Sequence, residues 1–271
     1  MASDVALSSS ASGRPAGTLL HRLSPWQALA LAAAAVVAFW VATGTTPAAF
    51  VYLWTWSPEL ARGMAANIGI SLLAMALGTV AGLVLGALSL SPAAAVRAVV
   101  RSSVQVFRNA PVLVLIYFTT YVFPFEIRVA GTALPFPDWL KVVLGLALPA
   151  SAQVAEIFRG AIQSIPSAQW EAAQSLAFTR AQIFRLIVLP QCLRRMLPPW
   201  MNLYASITMS TSLASLVGTH DVVDAAQVAS NTVARTDFTI LVYGALLAVF
   251  FAYCYPIARA TRALERRHER H

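Results

Sequence analysis

The chain has 271 residues, of which 58% are apolar and only 11% charged, against roughly 45–50% and about 25% in ordinary soluble domains. Side chains in that proportion cannot all be buried against one another, so the remainder faces lipid and most water-soluble folds are excluded. The net charge of +8 comes from 18 Arg and a single Lys, Lys141, scattered singly or in pairs rather than gathered into a stripe that would hold nucleic acid.

Residues 1–25, rich in Ser, Ala, Gly and Pro, read as a disordered tail. A membrane-crossing helix needs about 20 mainly apolar residues, and six stretches qualify, at roughly 26–43, 64–90, 107–124, 140–162, 198–218 and 238–258. The first, with its flank to residue 45, is among the shortest of the six. The small residues Ala42, Gly44 and Thr45 that follow it also fit the core of a signal peptide, although a leader of this length is unusual. The remaining five spans form an expected domain at 63–262, followed by a basic tail at 263–271. The expected fold is an all-α polytopic membrane helix bundle.

With the N-terminal tail on the cytoplasmic side, fifteen of the nineteen basic residues fall in inside segments, while Arg62, Arg128, Lys141 and Arg235 lie outside beside six of the eleven acids. This segregation follows the positive-inside rule and predicts six spans with both termini cytoplasmic.

Ala74, Gly78, Gly82 and Gly86 recur every fourth residue and make one small face on the second span. Such a face lets another backbone approach closely. Ser206, Ser210, Ala214 and Gly218 repeat the device on the fifth span. Helix packing is the simpler reading of both, and a lining role is the other. The fifth span also carries Asn202, Thr208, Thr211, Ser212 and Ser215. That is more polar groups than packing requires, so a polar substrate pathway beside this helix is expected.

Residues 164–195 form a long cytoplasmic loop with helical signals. Pro166 stops the preceding helix, Ser167 is a candidate N-cap, and two turns run from Gln169 to Leu176 before a break near Ala177 and Phe178. Thr179 and Gln182 have capping-box spacing, and Pro190 marks the expected end of that second helix. On residue pattern alone, a partner-binding element and an amphipathic element resting in the lipid interface fit equally, the latter through Trp170, Phe178, Phe184, Leu186 and Ile187. Glu156 and Arg159 are spaced as an ion pair. Arg108 with Pro111 reads as a helix start, and Arg194 and Arg195 as anchors in the inner leaflet.

Cys192 and Cys254 show no C-x-x-C spacing and the four histidines no H-x-x-x-H pair, so neither a disulfide framework nor a zinc site is expected. The one lysine follows Leu140 and belongs to no Gly-Lys-Ser/Thr phosphate loop. An intramembrane enzyme would need a nucleophile with a base, or a metal set, within the bilayer. The spans contain no His or Asp, so the chain is expected not to be an enzyme.

The run Glu171-Ala172-Ala173, then Ala177, then Ile187-Val188-Leu189-Pro190 resembles the EAA loop of bacterial ATP-binding-cassette importer permeases. Phe107-Arg108-Asn109-Ala110-Pro111, Ala155-Glu156-Ile157-Phe158-Arg159-Gly160, Leu189-Pro190-Gln191 and Thr211-Ser212-Leu213-Ala214-Ser215 resemble the polar amino-acid uptake branch, over about residues 63–267. The resemblance implies a five-span core in the bacterial inner membrane, to which the N-terminal helix at 26–45 is an extra addition. It implies that two permeases, alike or merely related, form the pathway, that two cytoplasmic ATPases bind the ATP and Mg and each clasp one loop, and that an external solute-binding protein delivers the substrate. The coupling residues it implies are Gln169, Glu171, Ala172, Ala173, Ala177, Ile187, Leu189 and Pro190. A secondary transporter driven by an ion gradient is the nearest alternative. Three positions depart from the family pattern: Ala177 for its usual Gly, Ala168 for the Gly before Gln169, and Met209-Ser210 where many relatives carry Lys with Asp or Asn. Ala in a left-handed turn costs roughly 1–2 kcal/mol, so the turn is expected either to move onto a neighbour or to be held by the ATPase.

Overall fold

The computed structural model describes Gly44 and residues 46–129 and 132–268. The expected tail at 1–25 and the first expected span lie outside these residues. The chain divides into two compact units, 1–47 and 48–271. Only Gly44, Thr46 and Pro47 of the first are described, and the account that follows concerns the second.

Helix α1 runs from Pro47 to Leu88 and contains Pro58, so it starts well before the span expected at 64–90. A proline inside a helix deprives the carbonyl four residues back of its donor. Here the Ser57 hydroxyl donates to the Trp54 carbonyl at 2.8 Å and fills that gap. The span expected at 107–124 is instead two helices, α2 (Ala94–Asn109) and α3 (Val112–Val122), meeting at 105°. Pro111 confines Ala110 to extended backbone, at φ −73° and ψ 137°. Pro111 itself is the N-cap residue of α3 and not part of its first turn.

Helix α4 (Asp138–Gln163) matches its expected span. Between α3 and α4 stands a hairpin absent from the all-α expectation, β1 (Glu126–Val129) paired antiparallel with β2 (Thr132–Pro135). Lys141, fully buried, pairs with Asp138 at 3.0 Å and lies 4.0 Å from the centre of the Phe125 ring at the hairpin's base.

Two short helices follow, α5 (Ser167–Ser175) and α6 (Arg180–Gln182), then a wide π-turn over Ile183–Val188 and α7 (Leu189–Ser210). Pro190 therefore opens α7 and does not close the helix before it. A proline ring clashes with the carbonyl four residues back, and widening the preceding turn relieves the clash. The Leu189 N–H accordingly donates to Phe184 O, five residues back. The span expected at 198–218 ends as the 3₁₀ helix Thr211–Val217, stopped by Gly218 at φ +80°. Helices α8 (Val222–Val233) and α9 (Thr236–His268) complete the chain.

Helices α1, α4 and α9 are long and apolar enough to cross a membrane, and α2 with α3 makes a fourth span if the bent pair counts as one. Helix α7, with Arg194, Arg195 and three prolines, is not among them. The described residues thus display three or four spans, the first of the six expected lying outside them, and the chain is a multi-pass membrane protein. Large apolar side chains such as Val80, Tyr121, Leu247 and Phe251 stand exposed on the outer faces of α1, α3 and α9, as contact with lipid requires.

The bundle is held by close backbone approach. A Cβ on Gly78 would lie 2.7 Å from Ala150 Cβ, one on Gly82 2.6 Å from Ser151 O, and one on Gly86 2.7 Å from Phe158 Cδ1. All three glycines face α4, so α1 and α4 run side by side in the same direction. Polar pins join α7 to its neighbours: Trp200 Nε1 donates to Thr79 Oγ1 at 2.8 Å, and the Tyr204 and Tyr253 hydroxyls are 2.6 Å apart.

Candidate functional site

The loop between α4 and α7 is folded throughout. Helix α5 starts after Pro166, which holds the N-cap position with no side-chain bond, so Ser167 is its first residue and not its cap. The helix ends in a Schellman motif: the Phe178 N–H donates to Ala173 O at 3.2 Å and the Ala177 N–H to Gln174 O at 2.9 Å. Ala177 occupies the left-handed position itself, at φ 56°. The turn is therefore not displaced onto a neighbour. The capping box closes as spaced, with Thr179 Oγ1 accepting from the Gln182 N–H and Gln182 Oε1 accepting from the Thr179 N–H at 2.8 Å.

Among the expected coupling residues, Glu171, Ala172 and Ala177 are exposed, while Ala173 is buried. Beneath them Ala173, Ile165, Ile183, Val188, Cys192 and Met196 form an apolar cluster with Phe158 and Ala161 at the end of α4. Two polar side chains span that cluster. Gln191 Nε2 donates to Gln169 Oε1 at 2.6 Å and to Ile187 O at 3.0 Å. Arg195 Nη1 donates to the Ser164 carbonyl at 2.7 Å and to its hydroxyl at 2.8 Å. Arg195 thus serves the C-cap of α4 while its side chain remains exposed. Leu176, Phe178, Phe184 and Leu186 leave apolar surface open on the loop.

Near the same end, Glu156 pairs with Arg159 at 2.5 Å, as its spacing predicts, and lies 3.6 Å from Arg108. Arg108 therefore ties the end of α2 to α4 as well as preceding a helix start.

The five polar residues expected along a pathway are split between two faces. Thr208 and Thr211 are buried, the first donating to Tyr204 O at 2.9 Å and the second to Thr208 O at 2.7 Å. Asn202 is exposed and Ser212 and Ser215 half-buried. Ser206 is exposed and Ser210 half-buried on the same side as Asn202, so this face of α7 is uncovered, not packed. Ala214 is buried and Gly218 exposed, so the small-residue series does not hold one face through the change to 3₁₀ geometry.

A buried network at the opposite end of the bundle had no counterpart in the sequence reading. Asn67 Nδ2 donates to Thr211 Oγ1 at 2.9 Å and to Asp221 Oδ2 at 3.2 Å, while its Oδ1 accepts from the Val222 N–H at 2.9 Å. Asp221 also caps α8 by accepting from the Asp224 N–H at 2.8 Å. Burial pushes the Asp221 carboxyl above the usual carboxylate range, against the opposing pull of its N–H and amide donors. The available signal was a single Asn in an apolar span, where a polar side chain must find a partner. Beside the network, a cleft of about 560 Å³ opens between Ile70, Leu73, Asp138, Trp139, Thr219 and His220. No cluster of three potential metal ligands occurs among the described residues.

Residues 78–270 match the family described as binding-protein-dependent transport system inner membrane component. The chain is 28% identical over 212 residues to the probable amino-acid ABC transporter permease protein YckA of Bacillus subtilis (strain 168), covering 78% of this chain and 89% of that protein. It is 30% identical over 219 residues to the octopine transport system permease protein OccM of Rhizobium radiobacter, covering 79% and 87%. Its fold superposes on a crystal structure of an amino acid ABC transporter with histidines, at TM-score 0.68 and 24% identity over 80% of this chain and 98% of the other.

Proposed function

Because the chain belongs to the family of binding-protein-dependent transport system inner membrane components, we propose that its bundle forms the pathway for a polar amino acid and that its loop receives the work of a separate ATPase. The importer holds two such permeases and two cytoplasmic ATPases, which carry the ATP and Mg, and an external solute-binding protein loads it. The protein sits in the bacterial inner membrane with both termini in the cytoplasm, an orientation drawn from the charge segregation.

The observation that carries the reading is the exposed edge of α5. Glu171 and Ala172 stand open on a short helix whose other side is packed through Ala173. Glu171 lies past the first turn of α5, and its exposed carboxylate is free to accept from an Arg or a backbone N–H of a partner. Small neighbours permit close approach, and the exposed Leu176 and Phe178 supply apolar contact beside the charge. The polar pathway is assigned to the uncovered face of α7, through Asn202, Ser206 and Ser210, with Ser212 and Ser215 beyond. Two permeases facing each other would enclose these groups, and enclosed polar groups at membrane depth line water or partner chain.

The test is uptake into proteoliposomes containing the permease, its ATPase and the solute-binding protein. ATP-dependent accumulation of a polar amino acid is expected, and Glu171→Arg should abolish both ATPase co-purification and uptake. Retention of both by the variant would overturn the coupling assignment. Uptake driven by an ion gradient without the ATPase would overturn the importer reading as a whole.

A further inference from the structure

We propose that Gln191 and Arg195 are positioning residues of the coupling step, clamping the loop to α4 and α7 so that all three move as one body. The proposal rests on the coupling reading above and goes beyond it, because neither residue belongs to the exposed edge that would meet the ATPase.

Gln191 and Arg195 are four residues apart and therefore sit one above the other on a single face of α7. Gln191 reaches Gln169 on α5, and Arg195 reaches Ser164 at the C-cap of α4. The two partners bracket Pro166, the corner at which the chain leaves α4 and enters α5. One face of α7 thus holds both sides of the corner.

The chemistry of each bond fits a clamp. The Ile187 carbonyl can only accept, so it fixes which end of the Gln191 amide faces it, and the same amide group then donates to Gln169. Ser164 O is among the helix-end carbonyls of α4 that lack an intrahelical donor, and a guanidinium there is favoured both as donor and as a cation at the negative end of the dipole. The Ser164 hydroxyl accepts from the same nitrogen while donating to Ala161 O at 2.8 Å, which extends the connection into the last turn of α4.

Without these bonds α5 would keep only its apolar contacts, chiefly Ala173 and the half-buried Trp170, on the cluster beneath. Apolar contact is non-directional and permits sliding, whereas hydrogen bonds at two points on one face fix both tilt and rotation. A load applied at Glu171, two residues beyond Gln169, then reaches α7 through Gln191 and α4 through the Arg195–Ser164 pair. The clamp converts displacement of a nine-residue helix into joint displacement of two long ones.

The test is the ratio of substrate taken up to ATP hydrolysed by the full permease–ATPase complex in proteoliposomes, with co-purified ATPase measured in parallel. For Gln191→Ala combined with Arg195→Ala, ATPase association and hydrolysis are expected to persist while uptake per ATP falls roughly tenfold. Arg195→Lys in an otherwise unchanged chain, still able to donate to the Ser164 carbonyl, should keep most of the ratio. If the double variant fails to reach the membrane, Gln191→Ala alone removes one arm of the clamp and leaves the other in place, and it should lower the ratio in the same direction. An unchanged ratio in a correctly assembled variant overturns the proposal, as does loss of ATPase association, which would make these docking residues. A wild-type chain that binds no ATPase refutes the coupling reading together with the clamp, whereas full coupling in both wild type and variants refutes the clamp alone.

Discussion

Ala177 offers the sharpest test of the energetics of the loop. Its φ of 56° places a Cβ in the left-handed region, where L-residues other than Gly are disfavoured by roughly 1–2 kcal/mol. The side chain is exposed, so Ala177→Gly removes no packed atom and leaves no cavity. Both Schellman bonds, Phe178 N–H to Ala173 O and Ala177 N–H to Gln174 O, are made by backbone and survive the substitution. Against the relief of strain stands the greater freedom of Gly in the opened loop, worth about 0.4–1 kcal/mol. The balance favours Gly by about 0.5–1 kcal/mol. That corresponds to a roughly two- to fivefold slower local opening equilibrium in hydrogen exchange at the Ala177 and Phe178 amides. Ala177→Val should shift exchange at these amides the other way, since a β-branched side chain fits this conformation worst. The measurement is amide exchange followed by mass spectrometry in detergent or nanodiscs, with peptides from α1 and α9 as internal references. Protection that is unchanged or lower at these two amides in Ala177→Gly would refute the reasoning, because it would mean that the left-handed turn is not the conformation the loop holds.

Three further outcomes follow from the bundle. Gly82→Ala puts a Cβ 2.6 Å from Ser151 O and from Val154 Cβ, so the α1–α4 contact must spread at a cost of about 1–3 kcal/mol. Gly69→Ala meets nothing within 4 Å and should leave thermal stability in detergent unchanged, which makes it the control. Asn67→Ala strands the Val222 N–H and removes a donor from the buried Asp221 carboxylate, a loss of about 1–3 kcal/mol read in the same melt. Because the folded-state pKa of Asp221 is raised, the stability linked to its protonation is fully present below the ordinary carboxylate pKa and is lost as pH rises through the raised value. Wild type should therefore lose stability relative to Asp221→Asn across that window, and parallel melting curves for the two at all pH values would rule the linkage out.

What the sequence disclosed, and what it withheld, divides by the distance over which the cause acts. The capping box of Thr179 and Gln182 and the face of Gly78, Gly82 and Gly86 are written within a turn or two of helix, and both form at the residues that carry them. Prolines are local too, yet their outcomes differ. Pro58 is carried inside α1, because Ser57 lends its hydroxyl to the orphaned carbonyl. Pro111 lies within a continuous apolar run and nevertheless breaks it, because it confines Ala110 to extended backbone and the Ala110 methyl offers no donor to the freed carbonyl. Pro190 looks like an end and is a beginning, since a π-turn absorbs the ring that would otherwise clash. In each case the outcome turned on whether neighbouring atoms could satisfy or accommodate the freed group, and composition alone does not say so. The bonds that give the site its shape are further removed. Gln191 meets Gln169 across 22 residues, and Asn67 meets Asp221 across 154. No periodicity joins such pairs, although each leaves a trace, a polar side chain that must be satisfied where its surroundings are apolar. Asn67 is the clearer trace, because membrane depth offers no water as a substitute partner. Gln191 is the fainter one, because at the mouth of the bundle solvent could have served as well, and only the fold shows that another side chain serves instead.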